Sequence, residues 1–406
     1  MIPPPSHGMK MQRHSPGGTD ELRHWSMSVA LFWTGFCCAG LAIAKPLIVG
    51  ALIDAYHYSP RQAGLIAGFE MMAIGAGALL VSSLGTHWTR RVVIRAGAVL
   101  GIIGSFAPFV SGDFLALFLL RGLAGLGSGL IAAAVLSTIG RSADPDRTFG
   151  LYFIFTYVLA AVFVPVISAS ILHYGADGSY YMLAALLLTV FASVRFIPDS
   201  PIARPTVRGV LPPFPFRQAG MSLAVSVFFW IGNGAVWAFT ERLGLRSGVT
   251  AAQIGSILSL GQLASIAGAG TAALVDIRFG RLGPTFAAIV LSIFSLTMIG
   301  TQHAAFYAAG AVVFSFAWTL FLTYLNGLMS AQDSAGRVVA LSVTSQTVGM
   351  AIGPAVGGAL VASYGYESIV TLGIAAHLLA AAFLVLLVVS RPREATPSTA
   401  KVFVGD

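Results

Sequence analysis

Charge is what this chain has least of. Lys, Arg, Asp and Glu together make up only 9% of its 406 residues. A soluble globular chain carries about 25%, so that class is excluded. Cysteine is nearly absent too: Cys37 and Cys38 are the only two, adjacent in an apolar run, and they rule out a disulfide scaffold. There is no phosphate-binding glycine loop and no Cys/His group with metal spacing, so ATP-driven and metal-dependent chemistry are not expected, nor any cofactor. Alternating ten-residue segments are missing, which excludes an outer-membrane barrel. What is abundant is apolar sequence: 56% of the residues belong to the set AVILMFWYC, and 46 more are Gly. Such a chain is not disordered. It reads as an all-α membrane protein, because helices satisfy their own backbone in lipid.

Apolar runs fall near 28–53, 60–85, 92–110, 114–139, 148–173, 179–197, 218–241, 251–276, 283–301, 304–330, 337–364 and 367–390. Each is about the length of a membrane-spanning helix, which predicts twelve spans. Residues 1–26 lack the apolar core of a signal peptide and are expected to be a disordered cytoplasmic tail. The net charge of +8 is not a nucleic-acid signal. Of the 23 Lys and Arg residues, only Arg61, Arg242 and Arg246 fall in the loops of one side, and Lys45 and Arg121 lie within spans. The rest collect on the side of the N-terminus, which predicts both termini in the cytoplasm and a multi-pass protein of the cytoplasmic (inner) membrane.

Residues 196–217 contain six prolines and three arginines and read as a cytoplasmic linker. The expected domains are therefore a six-helix bundle at 27–195, this linker, a second bundle at 218–390 and a cytoplasmic tail at 391–406. The bundles resemble each other. Ser59-Pro-Arg-Gln-Ala-Gly64 aligns with Thr250-Ala-Ala-Gln-Ile-Gly255, each placing Ser or Thr at a helix N-cap. Ala73, Ala76, Gly77 and Ala78 match Ala264, Ala267, Gly268 and Ala269, and Pro165 matches Pro354. Duplication of a six-helix unit is a transporter design, with the solute site between the halves.

Two segments carry a family resemblance. The fourth span reads Arg121-Gly-Leu-Ala-Gly125-Leu-Gly127-Ser-Gly129, and the eleventh reads Gly349-Met-Ala-Ile-Gly353-Pro354-Ala-Val-Gly357-Gly358. Over residues 27–390 the chain resembles the major facilitator superfamily, whose fourth-helix motif and exporter proline signature these stretches match. The resemblance implies twelve helices in two pseudo-symmetric bundles, and a central cavity lined by the first and fourth helices. There are departures. The fifth span keeps only Pro165. The loop Gly85-Thr-His87-Trp-Thr-Arg90-Arg91 keeps the family's basic end without its acidic residue. Asp276-Ile-Arg278-Phe-Gly280-Arg281 has one residue too many between Asp and Arg.

Three ionisable residues lie inside the spans: Lys45, Glu70 and Arg121. A charge at mid-bilayer is costly and usually functional. Lys45 is nine residues before Asp54, Glu70 ten after Pro60 and Arg121 eight after Asp113. At 1.5 Å per residue all three lie roughly 12–15 Å deep, in one layer. A structural ion pair would leave one cation over. The functional reading uses that surplus: Glu70, with Arg121 beside it, carries a coupling proton, and Lys45 and Arg121 bind an anionic solute. Pro46 bends the first span at the charge, and Gly353 with Pro354 is a second candidate bend. The second half shows no deep charge. Its candidate solute ligands are Asn233, Trp237, Gln262 and Gln346, joined by Tyr157 of the fifth span.

The chain is therefore expected to be a secondary active transporter, not an enzyme. Its expected partners are protons, the lipid bilayer and a small organic solute, leaning to an organic or aromatic anion. It is expected to act as a monomer and to bind no nucleic acid. The alternatives are a drug or metabolite exporter working by proton antiport, and a transporter-like receptor that moves nothing.

Overall fold

A computed structural model describes residues 18–84, 88–110, 112–142, 144–202, 213–275, 278–333 and 336–390. The first span is made of α1 (Gly18–Ile43) and α2 (Lys45–Asp54), followed by α3 (Pro60–Leu84), α4 (Arg90–Gly104), α5 (Phe114–Ile139) and α6 (Pro145–Tyr174). The sixth span is α7 (Asp177–Leu188) continued by the single turn α8 (Val190–Ser193). The second half comprises α9 (Phe216–Arg246), α10 (Ala251–Val275), α11 (Leu282–Gly300), α12 (Ala304–Ser330), α13 (Arg337–Tyr364) and α14 (Glu367–Val389). Among the described residues, eleven helical stretches are long and apolar enough to cross a membrane. The twelfth span is α4, with 15 residues.

The ends of the first and seventh spans depart from the sequence reading. Helix α1 begins at Gly18, so residues 18–26, expected in the disordered tail, are helical. Helix α9 runs to Arg246, past the end of the apolar run at 241. The rest of the expected N-terminal tail, residues 203–212 of the expected linker and the tail at 391–406 lie outside the described residues. So do residues 85–87 and 276–277 of the two loop motifs.

Helix starts follow local chemistry. The Asp113 carboxylate accepts from the amides of Leu115 (2.9 Å) and Ala116 (3.3 Å), capping α5. The aligned repeats form matching capping boxes. At α3, Gln62 Oε1 accepts from the Ser59 amide and hydroxyl, both at 3.0 Å, and the Gln62 amide returns a bond to Ser59 Oγ. At α10, Gln253 and Thr250 repeat the three bonds at 3.0, 3.0 and 3.4 Å. These reciprocal bonds satisfy amides that no helical carbonyl can reach.

The same repeats bring the halves together. A methyl group on Gly64 would meet the Pro354 carbonyl and Gly358, so α3 and α13 approach at backbone distance. In the symmetric position, Gly255 of α10 faces Pro165 and Ser168 of α6, and Ser168 Oγ donates to the Ala251 carbonyl at 3.4 Å. Each half thus lends a Gly-bearing even-numbered span to the proline-bearing span of the other. Gly349 and Gly353 press α13 onto α9 instead, against Trp230 and the Ile231–Ala235 backbone. Close packing through small residues is how helices associate where lipid supplies no hydrophobic drive.

The basic end of the loop before α4 is tied to the end of the sixth span. Arg91 donates to the carbonyls of Ile197 (2.7 Å) and Arg195 (2.9 Å), and Arg90 donates to Ser200 Oγ at 2.7 Å. Cationic side chains there supply donors to carbonyls left over at a helix end.

Candidate functional site

Lys45, Glu70 and Arg121 converge. Lys45 opens α2, Glu70 lies mid-way along α3, and Arg121 lies in the second turn of α5. The chain breaks at Ala44, a turn between α1 and α2, because Pro46 has no N–H to continue the ladder. Gly125 lets α5 approach so closely that a methyl group there would meet the Glu70 carbonyl, and Gly129 does the same against Ile74. The glycines of the fourth-span motif therefore hold Arg121 against α3.

Glu70 bridges both cations. Its Oε1 pairs with Lys45 Nζ. Its Oε2 accepts from Arg121 Nε at 2.7 Å and faces Nη2 at 2.6 Å. Arg121 Nη1 donates to the Gly104 carbonyl at 3.4 Å, and the guanidinium lies 5.2 Å from the centre of the Tyr180 ring. The three residues are 2%, 1% and 0% exposed. One carboxylate shared by two cations leaves the cluster one positive charge in surplus.

The other candidates sit elsewhere. Asn233 was expected to line the solute site, but its side chain lies between α9 and α14. Its amide nitrogen donates to the Phe229 carbonyl (3.0 Å) and lies 3.2 Å from His377 Nε2, while its Oδ1 has no hydrogen-bond partner among the described residues. Trp237 is buried and its indole donates to the Ala42 carbonyl at 3.0 Å, across to the first half. Gln262 is buried on α10, Gln346 half-buried on α13, and Tyr157 half-buried and stacked on Phe153. Among the described residues, none of these three shares a hydrogen bond or ion pair with Lys45, Glu70 or Arg121. Pro46 is buried beside Lys45 in α2, and Gly353 and Pro354 sit in the α9–α13–α3 packing described above.

A second charged cluster forms at the Asp54 end of the first span, where Asp54 itself is exposed. Glu241 and Arg242, near the end of α9, are each 8% exposed. Arg242 donates to Asp54 at 2.6 Å and to the Gly50 carbonyl, and its Nε lies 3.0 Å from Glu241. The Glu241 carboxylate rests against Gly50. The sequence signal for this cluster was the acid-base doublet itself, placed in a loop because the apolar run ends there. Tyr180 was also missed, since a tyrosine in the first turns of a span looks like an ordinary interfacial residue.

Comparison with known proteins gives three findings. The family model for the Major Facilitator Superfamily matches residues 30–335. A search of curated protein sequences finds no match. Among solved structures, a substituted form of the nucleoside transporter NupG is similar with a TM-score of 0.74 at 14% identity, over 90% of this chain and 99% of that one. A D-xylose–proton symporter is similar with a TM-score of 0.72 at 15% identity, over 89% and 97%. An auto-inhibited POT family peptide transporter gives 0.73 at 13% identity, over 90% and 97%. At such identities the likeness is one of fold.

Proposed function

The chain belongs to the Major Facilitator Superfamily and is a multi-pass membrane transporter of small solutes rather than an enzyme; from that premise we propose that it couples movement of a small organic anion to a proton. The observation that carries this reading is the shared carboxylate. Two cations and one acid, all nearly free of solvent, hold one positive charge in a medium where an unmatched charge is expensive. The second cation gives a solute anion a partner, which a neutral solute cannot use.

The same geometry supplies coupling. An arriving anion competes with Glu70 for Lys45, on the edge of the cluster next to the helix break. The displaced carboxylate then binds a proton, so one charge exchange ties the two species together. Arg121 stays on Glu70 through two nitrogens and on Gly104 through a third, which suits a residue that holds the carboxylate in place while its other oxygen changes partner. Alternating access follows from relative motion of the bundles 27–195 and 218–390 about this layer. The excess of Lys and Arg on one side supports a reading with both termini in the cytoplasm and the protein in the cytoplasmic membrane.

The test is a solute screen in proteoliposomes carrying an internal pH-sensitive dye. Small aliphatic and aromatic carboxylates are offered alongside their neutral amides. The reading expects internal acidification with at least one carboxylate and none with its amide. Acidification driven by neutral sugars or nucleosides, with every carboxylate silent, would overturn it.

A further inference from the structure

Pro46 leaves one backbone group stranded. Having no N–H, it cannot bond the carbonyl four residues earlier, which belongs to Ala42. In hydrocarbon that carbonyl must find another donor. It finds one outside its own half: the indole N–H of Trp237 on α9, 3.0 Å away and 195 residues distant in sequence. The indole is held for this bond. Its ring meets Trp318 edge-on at 5.8 Å, and Trp318 is in turn packed edge-on by Trp230 (5.2 Å) and Phe314 (6.2 Å).

We propose that Trp237 is a positioning residue for Lys45: its hydrogen bond to Ala42 forms only while the halves are closed around α2, and so ties that closure to the seating of Lys45 on Glu70. Helix α2 is ten residues long and starts at Lys45, immediately after the break. It docks on α9 at both ends. Trp237 holds the chain just before its first residue, and one turn further along α9, Glu241 and Arg242 hold Gly50 and Asp54. Lys45 reaches across from this docked half-helix to Glu70 on α3. Separation of the halves at this face breaks the indole bond, exposes the Ala42 carbonyl to water or solute, and frees the half-helix that carries Lys45. The inference rests on Lys45 as a site residue, but its test needs no solute.

The test compares Trp237→Phe in two backgrounds by amide hydrogen exchange of residues 47–54 in the purified protein. Phenylalanine keeps the ring and loses the donor. In the native background exchange should rise about ten-fold, the effect of losing one hydrogen bond at a buried carbonyl. In Pro46→Ala the main-chain N–H returns, the Ala42 carbonyl is bonded within its own helix, and Trp237→Phe should change exchange less than two-fold. Equal effects in the two backgrounds, or none in either, would overturn the proposal. If Trp237→Phe alone does not yield folded protein, recovery of the fold by Pro46→Ala supports it, and equal failure of the double variant counts against it. Because no transport is measured, this outcome stands apart from the solute screen.

Discussion

Arg121 sits at the meeting point of three interactions: Glu70, the Gly104 carbonyl and the face of Tyr180. Among the described residues the Tyr180 hydroxyl has no hydrogen-bond partner, so its ring, and not its oxygen, serves the cation. Tyr180→Phe should therefore leave transport and thermal stability within about two-fold and about 0.5 kcal/mol of the native protein, while Tyr180→Ala opens a cavity and costs about 3 kcal/mol. Thermal unfolding in detergent separates the two. A second prediction concerns charge balance. Glu70→Gln leaves two buried cations without their acid and should lower stability by about 3 kcal/mol. Adding Lys45→Met restores the original surplus of one and should recover most of that loss without restoring transport. If the double variant is no more stable than Glu70→Gln, the two cations do not share the carboxylate energetically. Lys45, Glu70 and Arg121 were legible because a charge inside an apolar run is conspicuous. The His377 neighbour of Asn233 left no mark in the sequence, because an amide on a membrane helix looks the same whether it faces a cavity or a histidine.

The helices were legible nearly end to end, since apolar run length decides where lipid can be crossed. The errors fall where polar sequence is helical. Residues 18–26 join α1, and α9 continues through Glu241 and Arg242 because Asp54 and Gly50 match their polar groups. The breaks at Ala44 and Thr189 interrupt single runs and left no mark on hydropathy, although Pro46 announced the first. Packing between elements gives a graded prediction. A methyl group at Gly64 meets the backbone of Pro354 and Gly358, which cannot rotate aside. At Gly255 the nearest atoms are Ser168 Cβ at 2.9 Å and Oγ at 3.0 Å, part of one small side chain. At Gly270 an added methyl group meets nothing within 4 Å among the described residues. Gly64→Ala should slow solute exchange most, by about ten-fold or more, Gly255→Ala less, and Gly270→Ala not at all, with a small gain in helix propensity. Equal slowing by all three would mean that the α3–α13 approach has no special part in closure.

Across the molecule, two clusters of opposite imbalance hang on one short helix. By formal charge, Lys45, Glu70 and Arg121 have one cation in surplus, and Asp54, Glu241 and Arg242 one carboxylate in surplus. Helix α2 joins them, with Lys45 at its start and Asp54 at its end. The sequence shows the duplication, the orientation signal and the first cluster. It does not show the second, because Asp54 and the Glu241–Arg242 doublet are 187 residues apart and meet only when the repeats close on each other. The central claim is that Glu70 carries the coupling proton. Proteoliposomes holding Glu70→Gln, given the solute found by the dye screen, test it most directly, with proton-driven accumulation and gradient-free exchange measured on the same preparation. The account predicts that accumulation is abolished while exchange persists at a reduced rate. Accumulation at the native level in Glu70→Gln would contradict it.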